Sequence, residues 1–239
     1  MKTMIFAAGL GTRLRPLTDS MPKAMVPLCG QPLLRHTIDT LLRQGATEVV
    51  VNVHHFGEQI IDYISNQEWP IPIRISNERT TLLNTGGGLR AALPLFSQNK
   101  PHSPILIHNV DILSNMDLRA FYERNATYAA TLLVSPRKST RQLVVRDGLL
   151  VGWKNLTTGE VRGSADGEEY AFSGIHLFSP ELGQRTMKEW PESFSIMDYY
   201  LSICPHEPIH VEVCPTLRLL DVGKIDALPQ AEEFLRNLC

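Results

Sequence analysis

The feature that most constrains the fold is a regular alternation of strand-like and helix-like segments over about the first 135 residues. Short apolar or β-branched runs predict buried strands at Met4–Ala8, Thr47–Val53, Ile73–Ser76, Ile105–His108 and Ala129–Val134. Between them, apolar residues at helical spacing predict helices over about 33–42, 57–64, 89–96 and 118–125. Such alternation is typical of a doubly wound, mainly parallel, Rossmann-like α/β sheet.

The rest of the chain is richer in strands. The dipeptide Asp147-Gly148 predicts a tight hairpin within Gln142–Trp153. Further strands are predicted at Ala171–Phe178, Ile209–Val213 and Thr216–Leu220, and a last helix at Ala227–Leu238. Neither a repeat nor a long linker interrupts the chain, so we expect one domain over residues 1–239. Its sheet should be mixed, with a β-rich C-terminal elaboration.

Composition excludes several classes of function. A net charge of −2 argues against a general nucleic-acid binder, which needs clustered Lys and Arg. No apolar run approaches the ~20 residues of a membrane span, so we expect no membrane partner. The four cysteines form neither a CxxC pair nor a zinc spacing, and Met1-Lys2-Thr3 leads into a strand without a cleavage site. We therefore expect a cytoplasmic protein.

A long irregular stretch follows the first strand, from Ala8 to Pro32. Its glycines Gly9 and Gly11 allow a backbone to approach a phosphate closely. The spacing is neither a dinucleotide fingerprint, because Leu14 replaces its third glycine, nor a Walker A loop. Arg13 and Lys23 add cations at the end of the strand, where open α/β sheets bind ligands. The alternative is that Arg15 and Lys23 are plain surface charges.

The run Ala7-Ala8-Gly9-Leu10-Gly11-Thr12-Arg13-Leu14-Arg15-Pro16-Leu17-Thr18, with Pro22-Lys23 and Gly30-x-Pro32-Leu33, resembles the sugar-1-phosphate nucleotidyltransferases. The resemblance continues in order up to Asp221-Val222-Gly223. It implies that an oxygen of a sugar 1-phosphate attacks the α-phosphorus of a nucleoside triphosphate and that pyrophosphate leaves. Such chemistry needs positioning and charge neutralisation rather than a covalent nucleophile.

The resemblance also implies roles for residues of the N-terminal loop. Arg13 is expected to engage the triphosphate and the leaving pyrophosphate, and Lys23 to hold phosphates near the reacting centre. Nucleotide contacts are expected from the loop residues Ala8, Gly9, Gly11 and Thr12. About residues 1–135 would then form a nucleotide-binding half, and about 136–239 a sugar-binding half.

Two aspartates match the metal-binding positions of the family. Asp111 follows the predicted strand Ile105–His108, and Asp221 opens the motif Asp221-Val222-Gly223. Magnesium prefers one or two carboxylates together with phosphate oxygens, so we expect Mg²⁺ as the cofactor. The chain departs from the common pattern at Val110, where glycine is usual, and at Lys224, where threonine is frequent. The alternative is that the Asp111 side chain only caps a helix or turn, which is a common structural role of aspartate.

The remaining candidate residues concern the base and the sugar. In the stretch that matches the base-reading segment, Glu78 and the backbone of Gly86 and Gly87 are expected to contact the nucleotide. The alternative is that these glycines merely build a tight turn. On the sugar side the resemblance points to Gly174 and Asp198. Asp198 is equally compatible with a capping or pairing role on a helix surface.

The short chain and Leu83-x-Thr85-Gly86-Gly87-Gly88 look most like the uridylyltransferases that act on N-acetylmuramate 1-phosphate in cell-wall recycling. We therefore favour UTP and that sugar phosphate as substrates, with Arg141, Lys154 and Arg162 as unranked cations for its carboxylate. Guanylyltransferases of heptose or mannose 1-phosphate and phosphocholine cytidylyltransferases remain alternatives. From another class, so does a catalytically silent nucleotide-binding regulatory subunit. The oligomeric state is left open.

Overall fold

The computed structural model describes residues 1–78, 81–97 and 102–237 of the chain. Its strands are β1 (Lys2–Phe6), β2 (Pro27–Leu28), β3 (Gln31–Pro32), β4 (Glu48–Val53), β5 (Ile73–Asn77), β6 (Ile105–Asn109), β7 (Ile112–Ser114), β8 (Ala130–Ser135), β9 (Arg141–Arg146), β10 (Leu149–Asn155), β11 (Val161–Gly163), β12 (Glu168–Phe178), β13 (His210–Val213) and β14 (Leu219–Asp221). Its α-helices are α1 (Leu33–Arg43), α2 (Gly57–Ser65), α3 (Asn84–Ala92), α4 (Leu118–Asn125), α5 (Pro180–Thr186), α6 (Ile196–Ile203) and α7 (Leu228–Arg236). Among the described residues no helix is long and apolar enough to cross a membrane.

Within the described residues, ten strands form one continuous sheet in the order β11-β10-β13-β8-β12-β6-β1-β4-β5, with β9 paired to β10 and β12. Strands β6, β1, β4 and β5 are mutually parallel. Strand β12 runs antiparallel between β6 and β8, and β13 is parallel to β8. The prediction of a mainly parallel mixed sheet with a β-rich C-terminal part is confirmed.

Helices cover both faces of this sheet. Consecutive residues of β1 point to opposite sides, so Met4 packs in one core with residues of α3, α5 and α6. Ile5 packs in the other core with residues of α1, α2 and α4. Both side chains are completely buried. Burial on both faces explains why the parallel strands read as continuous apolar runs.

Most of the predicted elements are present, with shifted bounds. The hairpin turn has positive φ at Asp147 and Gly148 (53° and 74°), as a type I′ turn requires. Strand β1 ends at Phe6, so Ala7 and Ala8 already belong to the loop. The predicted strand Thr216–Leu220 is observed as the shorter β14. The sequence reading missed helix α6, which carries Asp198.

The largest difference lies at the glycine triplet. Gly86, Gly87 and Gly88 were expected to precede a helix that starts at Leu89, but they lie inside α3, which begins at Asn84. Glycine disfavours a helix interior by about 1 kcal/mol relative to alanine. Tertiary contacts of Gly86 with Phe194 and of Gly87 with Glu192 override that preference here.

One buried histidine connects the sheet to α6. His176 on β12 is 1% exposed and lies among the rings of Phe6, Phe172 and Tyr200. A hydrogen bond of 2.8 Å joins its Nδ1 to the Tyr200 hydroxyl oxygen. Burial lowers the pKa of His176 to about 3, because the charged imidazolium would lose its hydration.

We predict that the free energy of unfolding falls as the pH is lowered from about 7.5 to about 5. The unfolded chain binds a proton at His176 near its ordinary pKa of about 6.5, whereas the folded chain keeps it neutral until about 3. Across that window the unfolded state binds more protons, and His176 alone should account for a loss of about 2 kcal/mol at pH 5.

Urea denaturation at the two pH values measures this effect. The variant His176→Gln removes the titrating group while keeping a polar side chain near Tyr200, and its stability should fall less on acidification. The matched control His206→Gln changes an exposed histidine and should follow the wild-type protein. Equal acid losses in the wild-type and His176→Gln proteins would contradict the assignment.

Candidate active site

The centre of the site is the edge of the sheet where the parallel strands end. Phe6, the last residue of β1, lies in register with Asn52 on β4 and with Asn109 on β6. The loops that follow these strands therefore leave the sheet side by side. They enclose a cavity of about 410 Å³, lined by Phe6, Ala7, Ala8, Gly9, Leu10, Gly11, Thr12, Arg13, Lys23, Asn52, Glu78, Leu82, Asn84, Thr85, Asn109, Val110, Asp111 and Gly223.

Glycine occurs at two positions of the N-terminal loop, Gly9 and Gly11, for different structural reasons. Gly11 has φ +65°, and a Cβ there would lie 2.9 Å from Thr18 Cγ2 and 3.1 Å from Lys23 Cβ. The Thr18 hydroxyl donates to the Gly11 carbonyl oxygen at 2.8 Å, which fixes the turn. At Gly9, by contrast, a Cβ would meet nothing within 4 Å. Gly11 shapes the loop, while Gly9 leaves open space beside the cavity.

Lys23 lies within a short 3-10 turn, Lys23–Met25, that follows Pro22. The residue is only 9% exposed, which is uncommon for lysine. Its ammonium group donates a short hydrogen bond to Asp111 Oδ2 and lies 3.9 Å from Asp221 Oδ1. The lysine is therefore held between two carboxylates.

Strand pairing brings the second carboxylate into the site. Strand β14 pairs with β7, and this register places Asp221 opposite Ile112. The Val222 amide donates to the Asp111 carbonyl oxygen at 2.8 Å. Burial and the nearby Asp111 charge raise the pKa of the Asp221 carboxyl group, while the positive charges of Lys23 and Arg13 oppose that rise.

The two aspartates are suitable ligands for a hard divalent cation. Carboxylate oxygens are the protein ligands that Mg²⁺ prefers, and it commonly takes one or two of them with substrate phosphates. Among the described residues there is no group of three or more His, Cys, Asp or Glu that could hold a metal ion. Phosphate oxygens and water would thus have to supply the remaining ligands, as expected where the substrate itself is a phosphate.

Arg13 lines the same cavity from the N-terminal loop. Its guanidinium group lies against Gly223, where a Cβ would be 2.9 Å from Arg13 Nη2 and 2.6 Å from Asp221 Oδ1. The glycine of the motif Asp221-Val222-Gly223 therefore makes room for both charged groups. Four charged side chains from distant parts of the sequence, Arg13, Lys23, Asp111 and Asp221, converge at one side of the cavity.

The opposite side of the cavity is organised by a buried hydrogen-bond chain. Asn52, 2% exposed, accepts from the Ala7 amide at 2.7 Å and donates to Glu78 Oε1 at 2.7 Å. Glu78 Oε2 accepts from the Leu83 amide at 3.0 Å. Burial raises the pKa of Glu78, and these hydrogen bonds oppose the rise. Each carboxylate oxygen of Glu78 thus has one partner within the protein, and the side chain is held in the cavity wall.

The amides of Gly86 and Gly87 already have a partner within the protein. Both donate to the Phe194 carbonyl oxygen, at 2.8 and 3.3 Å. A Cβ on Gly86 would lie 2.3 Å from the Phe194 ring, and one on Gly87 would lie 2.3 Å from the Glu192 carbonyl oxygen. The glycines are needed because a segment of the C-terminal half packs directly on α3.

The two expected sugar residues also have partners within the protein, and neither lines the cavity. Gly174 has φ +79°, and a Cβ there would lie 2.7 Å from Asn109 Nδ2, so the glycine makes room for Asn109. Asp198 accepts a hydrogen bond of 2.6 Å from Arg162 Nη1. Asp198 is therefore paired on the surface of α6, and its second carboxylate oxygen has no hydrogen-bond partner among the described residues.

Sequence reasoning missed several polar residues of the cavity wall, namely Asn52, Asn84, Thr85 and Asn109. Asn52 and Asn109 carried a usable signal, since each is an amide at the carboxyl end of an otherwise apolar strand. Asn84 has positive φ, 60°, and its side chain accepts from the Thr85 amide at 2.8 Å.

The comparisons with known proteins identify the family. A family model described as nucleotidyl transferase matches residues 2–145. The chain belongs to this family, and its fold and site define an enzyme of the sugar-1-phosphate nucleotidyltransferase class.

Individual members of the family show which enzymes the chain is similar to. The N-acetylmuramate alpha-1-phosphate uridylyltransferase of Caulobacter vibrioides is 40% identical over 199 residues, 75% of this chain and 75% of that protein. The enzyme of the same name from Neisseria meningitidis is 32% identical over 184 residues, 76% and 77% of the two chains. A solved structure, a putative glucose-1-phosphate thymidylyltransferase from Bacillus anthracis, superposes with a TM-score of 0.81 at 16% identity. It covers 99% of this chain and 96% of that chain, and it shows the shared fold.

We predict that alanine at the two loop glycines affects two different properties, stability at Gly11 and nucleotide binding at Gly9. Gly11→Ala should lower the free energy of unfolding by about 1–3 kcal/mol, because of its positive φ and the contact with Thr18. Gly9→Ala should change stability by less than about 0.5 kcal/mol but weaken nucleoside triphosphate binding, because the methyl group occupies the open space beside the cavity. Urea denaturation and calorimetric titration measure the two quantities. Full nucleotide affinity in folded Gly9→Ala would show that the ligand does not approach this backbone.

Proposed function

We propose that this enzyme transfers a uridylyl group from UTP to N-acetylmuramate 1-phosphate in a Mg²⁺-dependent reaction that releases pyrophosphate. The observation that carries the chemistry is the convergence of Arg13, Lys23, Asp111 and Asp221 at one side of the cavity. The choice of base and sugar rests on the two uridylyltransferases that match about three quarters of the chain.

In this reaction an oxygen of the sugar phosphate forms a bond to the α-phosphorus of UTP, and the bond from that phosphorus to the β-phosphate oxygen breaks. Arg13 neutralises the charge that develops on the departing pyrophosphate, and Lys23 stabilises the reacting phosphoryl oxygens. The loop from Ala8 to Thr12 positions the triphosphate beside them. Fixed charges of this kind are the main source of catalysis in phosphoryl transfer.

Asp111 and Asp221 would hold the magnesium ion, which supplies Lewis-acid charge neutralisation when bound. The protein charges alone give the reason for this requirement. Arg13 and Lys23 carry two positive charges, and Asp111 and Asp221 carry two negative charges when ionised, so these four residues sum to zero. Two anionic substrates cannot be brought together there without an additional cation.

The order of strands assigns sides to the two substrates. Glu78 follows β5 and Asn52 lies on β4, and we assign the base to that end of the cavity. Asp111 follows β6, and β12 and β8 lie beyond it. We therefore place the nucleotide over residues 1–135 and the sugar mainly over residues 136–239. We also place the reaction in the cytoplasm, within cell-wall recycling.

Two alternatives are considered beside the uridylyltransferase, and one of them has specific support. Guanylyltransferases of mannose and heptose 1-phosphates also match shorter stretches at 32% and 30% identity, so the base could be guanine. A catalytically silent regulatory subunit would use the same cavity for binding alone. Retention of all four charged residues favours an active enzyme over that second alternative.

A pyrophosphate-release panel tests the proposal. UTP, GTP, CTP and dTTP are each paired with the 1-phosphates of N-acetylmuramate, heptose, mannose and N-acetylglucosamine, with and without Mg²⁺. We expect the fastest release from UTP with N-acetylmuramate 1-phosphate. Faster release from GTP with a heptose or mannose phosphate would replace the substrates, and nucleotide binding without any release would establish the regulatory alternative.

We predict that Asp111→Asn and Asp221→Asn each lower kcat/KM by about 100-fold or more, because each removes a charge that would hold Mg²⁺. The Mg²⁺ concentration needed for half-maximal activity should rise in both variants. The control Asp62→Asn alters an exposed carboxylate on α2 and should leave kinetics unchanged. Thermal unfolding verifies folding, and full activity of a folded Asp111→Asn protein at low Mg²⁺ would refute the metal assignment.

A further inference from the structure

A second arginine stands at the same edge of the sheet, outside the N-terminal loop. Arg137 follows β8, which ends at Ser135. Strand β12 is antiparallel to both β6 and β8, so these two strands run in the same direction and end at the same edge. Arg137 therefore leaves the sheet on the side where Asp111 follows β6.

The Arg137 side chain is anchored but leaves most of its donors available. Its Nη2 donates to the Phe172 carbonyl oxygen at 2.8 Å, at the irregular point of β12 that also contains Gly174. A guanidinium group carries five N–H donors in a rigid fork, so one anchored donor leaves others for a ligand. The residue is exposed to solvent, which keeps those donors accessible.

Arg137 differs in this respect from two other cations of the C-terminal half, Lys154 and Arg162. Lys154 donates to Glu169 at 2.6 Å, and Arg162 donates to Asp198 at 2.6 Å. Among the described residues, Arg137 has no carboxylate within salt-bridge distance. A fixed guanidinium group without a carboxylate partner is a ready binding site for an oxyanion.

The electrostatic neighbour of Arg137 connects it to the reaction centre. Desolvation of the guanidinium group lowers the pKa of Arg137, and the negative charge of Asp221 opposes that change. Asp221 is the same carboxylate that feels the charges of Asp111, Lys23 and Arg13. The cation thus lies within electrostatic reach of Asp221, at the end of the sheet edge away from Glu78.

We infer that Arg137 binds the phosphate of the acceptor sugar 1-phosphate and positions its attacking oxygen beside Asp111 and Asp221. The inference rests on the proposed function and deepens it by assigning a residue to the acceptor. Along the edge of the sheet the order is then base, triphosphate, aspartate pair and acceptor phosphate. A planar fork matches two phosphate oxygens at once, so it fixes orientation as well as charge.

The phosphate is a better match for this position than the carboxylate of N-acetylmuramate. Every acceptor in this reaction carries the phosphate, and that group must reach the reacting centre near Asp221. The carboxylate belongs to the sugar and has no requirement to lie beside the aspartate pair. We therefore expect Arg137 to recognise the phosphate of the acceptor whatever substituent the sugar carries.

Steady-state kinetics of the full-length enzyme test the inference, with the acceptor that the pyrophosphate panel identifies. In Arg137→Gln the KM for the acceptor should rise about 30-fold, as expected for losing a charged hydrogen bond. The KM for the nucleotide should stay within about threefold, since its contacts lie elsewhere. Arg137→Lys keeps the charge without the fork and should recover part of the loss.

Inorganic phosphate and phosphate-free N-acetylmuramate serve as inhibitors that separate the two anions. Arg137→Gln should weaken competitive inhibition by phosphate about as strongly as it raises the acceptor KM. The control Arg119→Gln removes an exposed arginine of α4 that pairs with Glu123, and it should behave as the wild-type enzyme. Inhibition by N-acetylmuramate should be unaffected by either substitution.

Three results would overturn the inference. Weaker inhibition by N-acetylmuramate alone would assign Arg137 to the sugar carboxylate. A lower melting temperature with equal rises of both KM values would reduce Arg137 to a support for Phe172. Unchanged kinetics would exclude any role. Failure of the proposed function is distinguishable, since then the wild-type enzyme itself releases no pyrophosphate with any pair.

Discussion

The hydrogen bonds of Asn52 hold two walls of the cavity in a fixed relation. This one amide side chain accepts from the Ala7 backbone and donates to Glu78, so the loop after β1 and the segment after β5 share a single buried connector. A buried amide left without either partner would cost about 1–3 kcal/mol, which gives this chain little freedom to vary. Glu78 extends the connection to Leu83 and so to the start of α3. The cavity therefore has its shape before any nucleotide arrives.

The charged side of the cavity is preorganised in a different way. Lys23, Asp111 and Asp221 come from three distant segments, and each is placed by local backbone hydrogen bonds or strand pairing rather than by the others. Their mutual attraction then costs little conformational entropy, because the turn and strand ends are already fixed. Lys23 and Arg13 together offset the charges of the two aspartates. The ammonium group of Lys23 is thus held between Asp111 and Asp221.

The fold class and the charged residues followed from the sequence because they depend on local patterns. Alternating apolar runs predicted the parallel sheet, and the rule that ligands bind at strand ends gathered Arg13, Lys23 and Asp111 at one edge. The glycine triplet and the sugar-side residues did not follow, because their reasons lie far away in the chain. Gly86 is required by Phe194, Gly174 by Asn109, and Asp198 is paired with Arg162. The local sequence around each residue contains no pattern that predicts these long-range contacts. The roles of Arg13, Lys23 and Asp111 in the reaction are proposals.

The contact between residues 192–196 and residues 82–88 has a consequence for exchanging segments between related enzymes. Ser193 donates to the Leu82 carbonyl, Phe194 pairs with Leu83 and Gly86, and the Ile196 amide donates to Thr85. Residues 82–88 and 192–196 therefore form one structural module, although more than a hundred residues separate them. A chimera that imports residues 82–88 alone would lose the matched hydrogen bonds to residues 192–196, whereas one that imports both segments would keep them.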